Sequence, residues 1–111
     1  MKIIDVRGIK PNSPDVVYCG RGWAGWAASP LGNPCHLSRR CPMCSDIHET
    51  GGDTLPCYRF WLLGEIIKGN KEVVGALSAL KEDSVLGCWC GPDKPCHCQV
   101  IADVWERYVR C

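Results

Sequence analysis

Cysteine and histidine are concentrated in two short stretches of this sequence, and this limits the folds that the chain can adopt. Residues 88–98, CWCGPDKPCHC, contain four cysteines and one histidine between an apolar run and an amphipathic pattern. Residues 35–48 contain three further cysteines and two histidines. Thiolates and imidazoles bind metal ions, act as nucleophiles and transfer protons. We therefore expect the fold to be organised around these clusters and the chain to act at them.

Composition sets the broad class of the protein. With 111 residues, 46% hydrophobic and 23% charged, the sequence predicts one globular domain over residues 1–111. A net charge of +1 provides no strong field for a nucleic-acid duplex or an anionic membrane. Ten cysteines would suit a disulfide-rich exported protein, but the first residues lack the apolar stretch of a signal peptide. We expect a cytoplasmic protein with reduced thiols and no membrane partner.

Two short β-branched runs near the start of the chain predict strands over 3–6 and 16–19. Residues 20–52 follow as an irregular segment rich in Gly, Pro, Ser and Cys. A segment of this length without regular structure is unusual in a compact domain unless something holds it in place. A bound metal ion would do so.

The second half of the chain shows helical periodicity. A helix is predicted from an N-cap at Asp53 or Thr54 to Gly69, and a second one begins at Asn70. Residues 84–88 form an apolar run typical of a buried central strand. The last helix is predicted over 96–109. The apolar positions expected on the buried faces of the three helices are Leu55, Tyr58, Leu62 and Ile66, then Val73, Val74, Leu77 and Leu80, and finally Val100, Ile101, Val104, Trp105 and Tyr108.

This order of elements predicts an α/β fold with a short, mainly parallel sheet and about three helices. Ligands of such sheets bind beyond the carboxyl ends of the strands. The segment containing Arg21 follows the second strand and the segment containing Cys90 follows the third. We therefore expect Arg21 and Cys90 to lie at one ligand-binding edge.

Several motifs resemble the domain-of-unknown-function family 4326, which occurs in phages and bacteria. They are Val17-Tyr-Cys-Gly-Arg21, Leu31-Gly-Asn-Pro34, Tyr58-Arg-Phe-Trp-Leu62, and Leu86-Gly-Cys-Trp-Cys90 with Cys96-His97. The resemblance covers nearly the whole chain and implies a small Rossmann-like domain, with no established reaction. The family usually has a bulky aromatic residue where this chain has Cys35, and its segment up to Gly52 is shorter. The comparison implies that a metal-binding loop, residues 35–52, has been added to the scaffold.

The spacing Cys41-x2-Cys44 is that of a zinc knuckle. Cys35 upstream and His48 downstream complete a tetrahedral set, so the sequence predicts zinc held by Cys35, Cys41, Cys44 and His48. His36 and Cys57 are alternative fourth ligands. The competing interpretation is that these are unpaired loop cysteines.

The second cluster is more ambiguous. Cys96 and His97 stand at a predicted helix N-terminus, where the helix dipole favours a thiolate, so they are candidate catalytic residues, nucleophile and general acid or base. Arg21 is a candidate phosphate ligand, and Asn33 is either a ligand contact or a structural turn residue. Metal binding by the cysteines around Cys96, and a purely structural role, remain alternatives.

These observations lead to two main hypotheses. The first is a small zinc-binding protein that binds or processes a nucleotide or nucleoside at the strand ends, where Trp23, Trp26 and Trp89 either stack on a base or pack in the core. The alternative is a non-catalytic zinc module of phage-like origin that binds a host protein or nucleic acid in a bacterial cytoplasm. A redox sensor built from the second cluster is a third possibility. The sequence leaves open whether the protein is an enzyme.

Overall fold

The structure is a computed structural model that describes residues 1–35, 37, 39–50, 52–89 and 96–109. Three parallel strands form one sheet: β1, Lys2–Asp5; β2, Val17–Tyr18; and β3, Val85–Cys88. β3 lies in the centre of the order β1-β3-β2. The predicted α/β fold with a short parallel sheet is confirmed, although β2 is shorter than the predicted strand.

Three helices follow the irregular segment. A 3-10 turn, Gly52–Thr54, leads into α1, Leu55–Lys68, which ends at Gly69 in the left-handed conformation with φ of +76°. In α2, Lys71–Ser78, the Asn70 side chain accepts hydrogen bonds from the first-turn backbone and so caps the helix. α3, His97–Val104, packs against α1 and β3. The predicted positions of the first two helices and the predicted start of the last are therefore confirmed.

The end of the last helix differs from the prediction of one continuous helix over 96–109. After Val104 the chain makes a π-helical turn, Trp105–Val109. The wider turn changes which side chains face inward. Val109 packs against the core, whereas Tyr108 is 57% exposed, so the prediction that Tyr108 is buried is wrong. Val74 is also at the surface, at the margin of the apolar stripe of α2.

Close packing across the sheet explains the glycine in the central strand. A Cβ atom at Gly87 would meet Cγ1 of Val6 at 2.5 Å and Cγ1 of Val16 at 2.6 Å. Val6 and Val16 therefore occupy the space that a side chain at Gly87 would fill. The main apolar core contains residues from β3, from all three helices and from the irregular segment, among them Leu31, Tyr58, Leu62, Val73, Leu77, Leu86, Ile101 and Val104.

The irregular segment contains little regular pairing. Two isolated antiparallel bridges join Trp23 to Trp26 and Arg40 to Ile47. The described helices do not include one with the length and apolar character needed to cross a bilayer. What positions this segment is a set of side-chain contacts, which are described next.

Candidate metal centre and adjoining pocket

A tight turn presents the cysteines of the loop. The backbone N–H of Ser45 donates to the carbonyl of Cys41 at 2.9 Å, and that of Cys41 donates to the carbonyl of Asp46 at 2.8 Å. Ser45 adopts φ of +67°, which lets the chain reverse. Inside the turn, the N–H of Met43 points at the Cys41 sulfur from 3.4 Å. Such N–H groups stabilise a thiolate, as a metal ligand requires.

Four donor atoms meet at this turn. The sulfurs of Cys41, Cys44 and Cys57 and a ring nitrogen of His48 all lie within 4.8 Å of one another. The Cys44 sulfur is 3.5 Å from Nε2 of His48. Cys57 belongs to the first turn of α1, so the group joins the loop to that helix. Three thiols and one imidazole in this arrangement can hold a metal ion.

Cys35 lies beside this group without belonging to it. Its sulfur is 3.3 Å from that of Cys41, but Cys57 is the fourth member of the set whose atoms are mutually close. From the loop spacing, Cys57 is only an alternative ligand. The position of Cys57 favours it as a ligand, because it lies in the first turn of α1 directly after the loop and its thiol can face the loop. The other alternative, His36, lies outside the described residues.

The electrostatics of the group single out one thiol. Burial would raise the pKa of Cys41, but hydrogen bonds from the backbone of Cys44 and Met43 and from neighbouring side chains lower it to about 6. Burial and the contacts with neighbouring thiols raise the pKa values of Cys35 and Cys57 to about 12. Of these three thiols, Cys41 is therefore the one that ionises most readily.

Cys41, Cys44, His48 and Cys57 form the candidate metal-binding group, and a pocket of about 480 Å³ adjoins it. It opens at the carboxyl ends of β2 and β3, as expected for this class of sheet. Cys35 lines the pocket and also contacts Cys41, so the two features share a wall. The lining residues are Tyr18, Gly20, Arg21, Gly22, Trp23, Asn33, Cys35, Leu37, Thr54, Leu55, Trp89 and His97.

Arg21 and Asn33 both line the pocket and both hold the loop. The Arg21 guanidinium donates from Nε to the carbonyl of Asn33 at 2.9 Å and from Nη2 to that of Cys35 at 3.0 Å. Nη1 is not used in these two bonds. The Asn33 side chain accepts from the N–H of Cys35 and donates to the hydroxyl of Thr54. Its amide is therefore engaged in a turn, which agrees with the structural role considered for it.

His97 and Cys96 are neighbours with different exposure to the pocket. His97 lines it, and its Nε2 is 2.5 Å from the carbonyl oxygen of Cys19. Because a carbonyl can only accept, Nε2 carries a proton. Burial would lower the pKa of His97, but the contacts with Cys96 and the Cys19 carbonyl raise it. Cys96 is 1% exposed and is not among the lining residues, so the pair is split between pocket and core.

Aromatic side chains form much of the pocket wall. Trp89 donates from Nε1 to the Tyr18 hydroxyl at 3.0 Å, and that hydroxyl donates to the Arg21 carbonyl. Trp23 is 66% exposed at the rim. Trp26 is buried and stacks on Tyr18 with ring centroids 4.9 Å apart, so it packs instead of lining the pocket. Tyr18 lines the pocket although nothing in the sequence around it predicts a pocket residue. Cys90, which the sequence places at the same edge, lies outside the described residues.

Comparison with known proteins places the chain in a family. The family model described as Domain of unknown function (DUF4326) matches residues 5–107. The chain belongs to this family. The matched range includes the candidate metal-binding group, the pocket and α3. No curated protein and no solved structure matches the chain.

Proposed function

We propose that this DUF4326 protein binds zinc at Cys41, Cys44, His48 and Cys57, and binds a nucleoside or nucleotide in the adjoining pocket. Zinc is the divalent ion that prefers a closed tetrahedral set of thiolates and imidazole, and such sites are usually structural. The ion would fix the loop to α1. Since Cys35 contacts the metal-binding group and lines the pocket, zinc would also fix part of the pocket wall.

The observation that carries the ligand proposal is the combination of groups lining one pocket at the strand ends. Trp23 and Trp89 offer aromatic faces for a base, and Arg21 is held by two carbonyls with Nη1 left for a phosphate. A pocket of about 480 Å³ is within the usual size range for small ligands. A mononucleotide carries one phosphate group, which a single arginine can bind, so this ligand does not require a larger basic surface.

We propose binding as the activity, without a chemical step. Both ring nitrogens of His97 face protein atoms, Nε2 the Cys19 carbonyl and Nδ1 the Cys96 sulfur at 3.9 Å. Cys96, the candidate nucleophile, is buried behind it. These contacts favour a role for His97 in shaping the pocket over one as general acid or base.

Calorimetric titration of the zinc-loaded protein with nucleosides and nucleoside monophosphates tests the proposal. Trp23→Ala should weaken binding at least about tenfold by removing one stacking surface. Arg21→Lys should reduce the preference for monophosphate over nucleoside, because lysine cannot reproduce the paired guanidinium contacts. Phe60→Ala is the matched control, since Phe60 is 70% exposed on α1 and is not a lining residue. Absence of binding to every compound, or equal loss in the Phe60 variant, would refute the pocket proposal.

A second candidate function uses the outer surface of the loop. Ile47 is 57% exposed, and the basic residues Arg39 and Arg40 also lie at the surface. These groups favour a zinc module that presents the loop to a protein or nucleic acid. Binding of fluorescent single-stranded oligonucleotides or of a candidate partner protein that is lost in Ile47→Asp but kept in Trp23→Ala would support this function over the first.

A further inference from the structure

A second group of thiols is buried in the core, apart from the loop. The sulfurs of Cys88, Cys96 and Cys98 all lie within 4.8 Å of one another. Cys88 ends β3, Cys96 caps α3 and Cys98 lies in its first turn. Each side chain is at most 1% exposed, so the group is closed to solvent. None of the three is shared with the group in the loop.

A fourth thiol approaches from another strand. Cys19, directly after β2, is fully buried and lies outside the set of three mutually close sulfurs. Its thiol donates to the Val17 carbonyl at 3.4 Å and contacts that of Cys98, which also contacts those of Cys88 and Cys96. The sulfurs therefore come from the ends of two neighbouring strands and from the start of the helix that packs on the sheet. Parallel pairing places these ends at one edge, since the Cys19 N–H donates to the carbonyl of Gly87 at 2.9 Å.

A structural role as small apolar side chains is the competing explanation for these cysteines. Two contacts favour metal binding over it. The backbone N–H of Cys98 points at the Cys96 sulfur from 3.4 Å, which is the support that a thiolate ligand needs. Nδ1 of His97 lies 3.9 Å from the same sulfur while its Nε2–H donates to the Cys19 carbonyl, so one imidazole positions both Cys96 and Cys19.

The spacing of the sulfurs is compatible with a tetrahedral ion. Zn–S bonds of about 2.3 Å place neighbouring sulfurs about 3.8 Å apart. The three mutually close sulfurs lie within 4.8 Å of one another, and Cys88 and Cys96, now 2.8 Å apart, would separate by about 1 Å around the ion. All four ligands would be thiolates, which select a soft divalent ion such as zinc.

We propose that Cys19, Cys88, Cys96 and Cys98 form a second zinc site, inside the core and independent of the site in the loop. Binding displaces the protons of the four thiols, and the ion clamps β2 and β3 to α3. His97 stands between this site and the pocket. The second ion would therefore fix the pocket wall at His97, as an ion in the loop would fix the wall at Cys35.

Metal content per chain tests the proposal. The full chain, purified under reducing conditions and reconstituted with zinc, should hold about two ions by elemental analysis. The double variant Cys44→Ser/His48→Ala, which disables the loop site, should retain about one. Adding Cys98→Ser should bring it to almost none, whereas adding Cys35→Ser should leave it unchanged. Cys35→Ser is the matched control because Cys35 is also a buried cysteine next to a thiol cluster.

Cobalt substitution keeps the test decisive if Cys98→Ser does not fold. Cobalt bound to the folded double variant should give the intense sulfur charge-transfer and tetrahedral absorption bands of four thiolates, and the core thiols should resist alkylation until a chelator is added. A folded double variant that binds neither zinc nor cobalt would overturn the proposal. So would a disulfide between Cys88 and Cys96 in the protein as purified under reducing conditions. If the wild type holds one ion and the double variant also holds one, the loop site fails and the core site stands.

Discussion

The thiol of Cys57, in the first turn of α1, lies within 4.8 Å of the thiol of Cys41 in the preceding loop. This contact brings together a helix that periodicity defines and a loop that has no regular structure of its own. A metal ion held between them would replace the apolar packing that the loop lacks. The stability of the loop and the binding of metal should therefore be coupled.

The fourth ligand of the loop site can be identified by two serine substitutions. Cys57→Ser should reduce zinc affinity more than about 100-fold, because it removes a ligand, whereas Cys35→Ser should cost about tenfold or less, as expected for a neighbour of a ligand. Competition with a chromophoric chelator measures both affinities. To separate the loop site from the core, the zinc affinity of the double variant Cys44→Ser/His48→Ala, which keeps only the proposed core site, is measured beside both variants.

The opposite order of the two affinities would show that Cys35 is the ligand, as the loop spacing alone predicts. Equal small losses in both variants would contradict a four-ligand site that contains either residue. Far-ultraviolet circular dichroism of the two variants provides the control for folding, since α1 should be retained in both.

Much of the fold follows from local sequence patterns. Apolar spacing defines α1 and α2, and the short run ending at Cys88 is the central strand. Thr54 and Asn70 mark the starts of the two helices, but only Asn70 makes side-chain capping bonds, because Thr54 is already helical. These features depend on residues near one another in the chain. The convergence of Arg21 and His97 on one pocket also followed, because parallel strands bring their carboxyl ends to the same edge.

Other features depend on contacts that no local pattern encodes. Nothing in the spacing of Trp105 to Val109 indicates a π-helical turn, since an α-helical pattern fits the same residues. The choice between Cys35 and Cys57 depends on how the loop returns to α1. Likewise, the sequence could not say that Cys98 turns inward to meet Cys19, because this depends on the docking of α3 against the strand ends.

An ion-pair network joins α1 to α3 and should make stability depend on pH. Hydrogen bonds from Arg107 and Arg59 lower the pKa of Asp103. A carboxyl whose pKa is lower in the folded state stabilises the fold when ionised. This stabilisation is fully present above the unfolded pKa of about 4 and disappears as pH falls through the folded value.

Asp103→Asn should therefore lower the free energy of unfolding at pH 7 but make no difference at strongly acidic pH. Urea denaturation of both proteins across this range measures the effect. Asp15→Asn, at an exposed aspartate before β2, is the control. A difference between wild type and Asp103→Asn that stays constant down to the lowest pH would contradict the ion-pair explanation.

The Tyr58 hydroxyl should contribute to stability by fixing the irregular segment to α1. It donates to the carbonyl of Leu31 at 2.6 Å, and both side chains are fully buried. Tyr58→Phe leaves that carbonyl without its partner, which should cost about 1–3 kcal/mol. Tyr108→Phe, at a residue that is 57% exposed, should change stability by less than about 0.5 kcal/mol. Equal effects in chemical denaturation would count against this role.

The centre of the sheet should tolerate no side chain at Gly87. Gly87→Ala would place a Cβ 2.5 Å from Val6 and 2.6 Å from Val16, so strands or side chains must shift, at a cost of about 1–3 kcal/mol. Gly75→Ala is the matched control, because nothing lies within 4 Å of its Cβ position in α2 and alanine should add about 0.5–1 kcal/mol. The free energy of unfolding by urea distinguishes the two.

Val16→Ala removes one of the two clashing methyl groups, so it should recover part of the loss when combined with Gly87→Ala. If Gly87→Ala is as stable as the wild type, the sheet is less tightly packed at β3 than the contacts with Val6 and Val16 require.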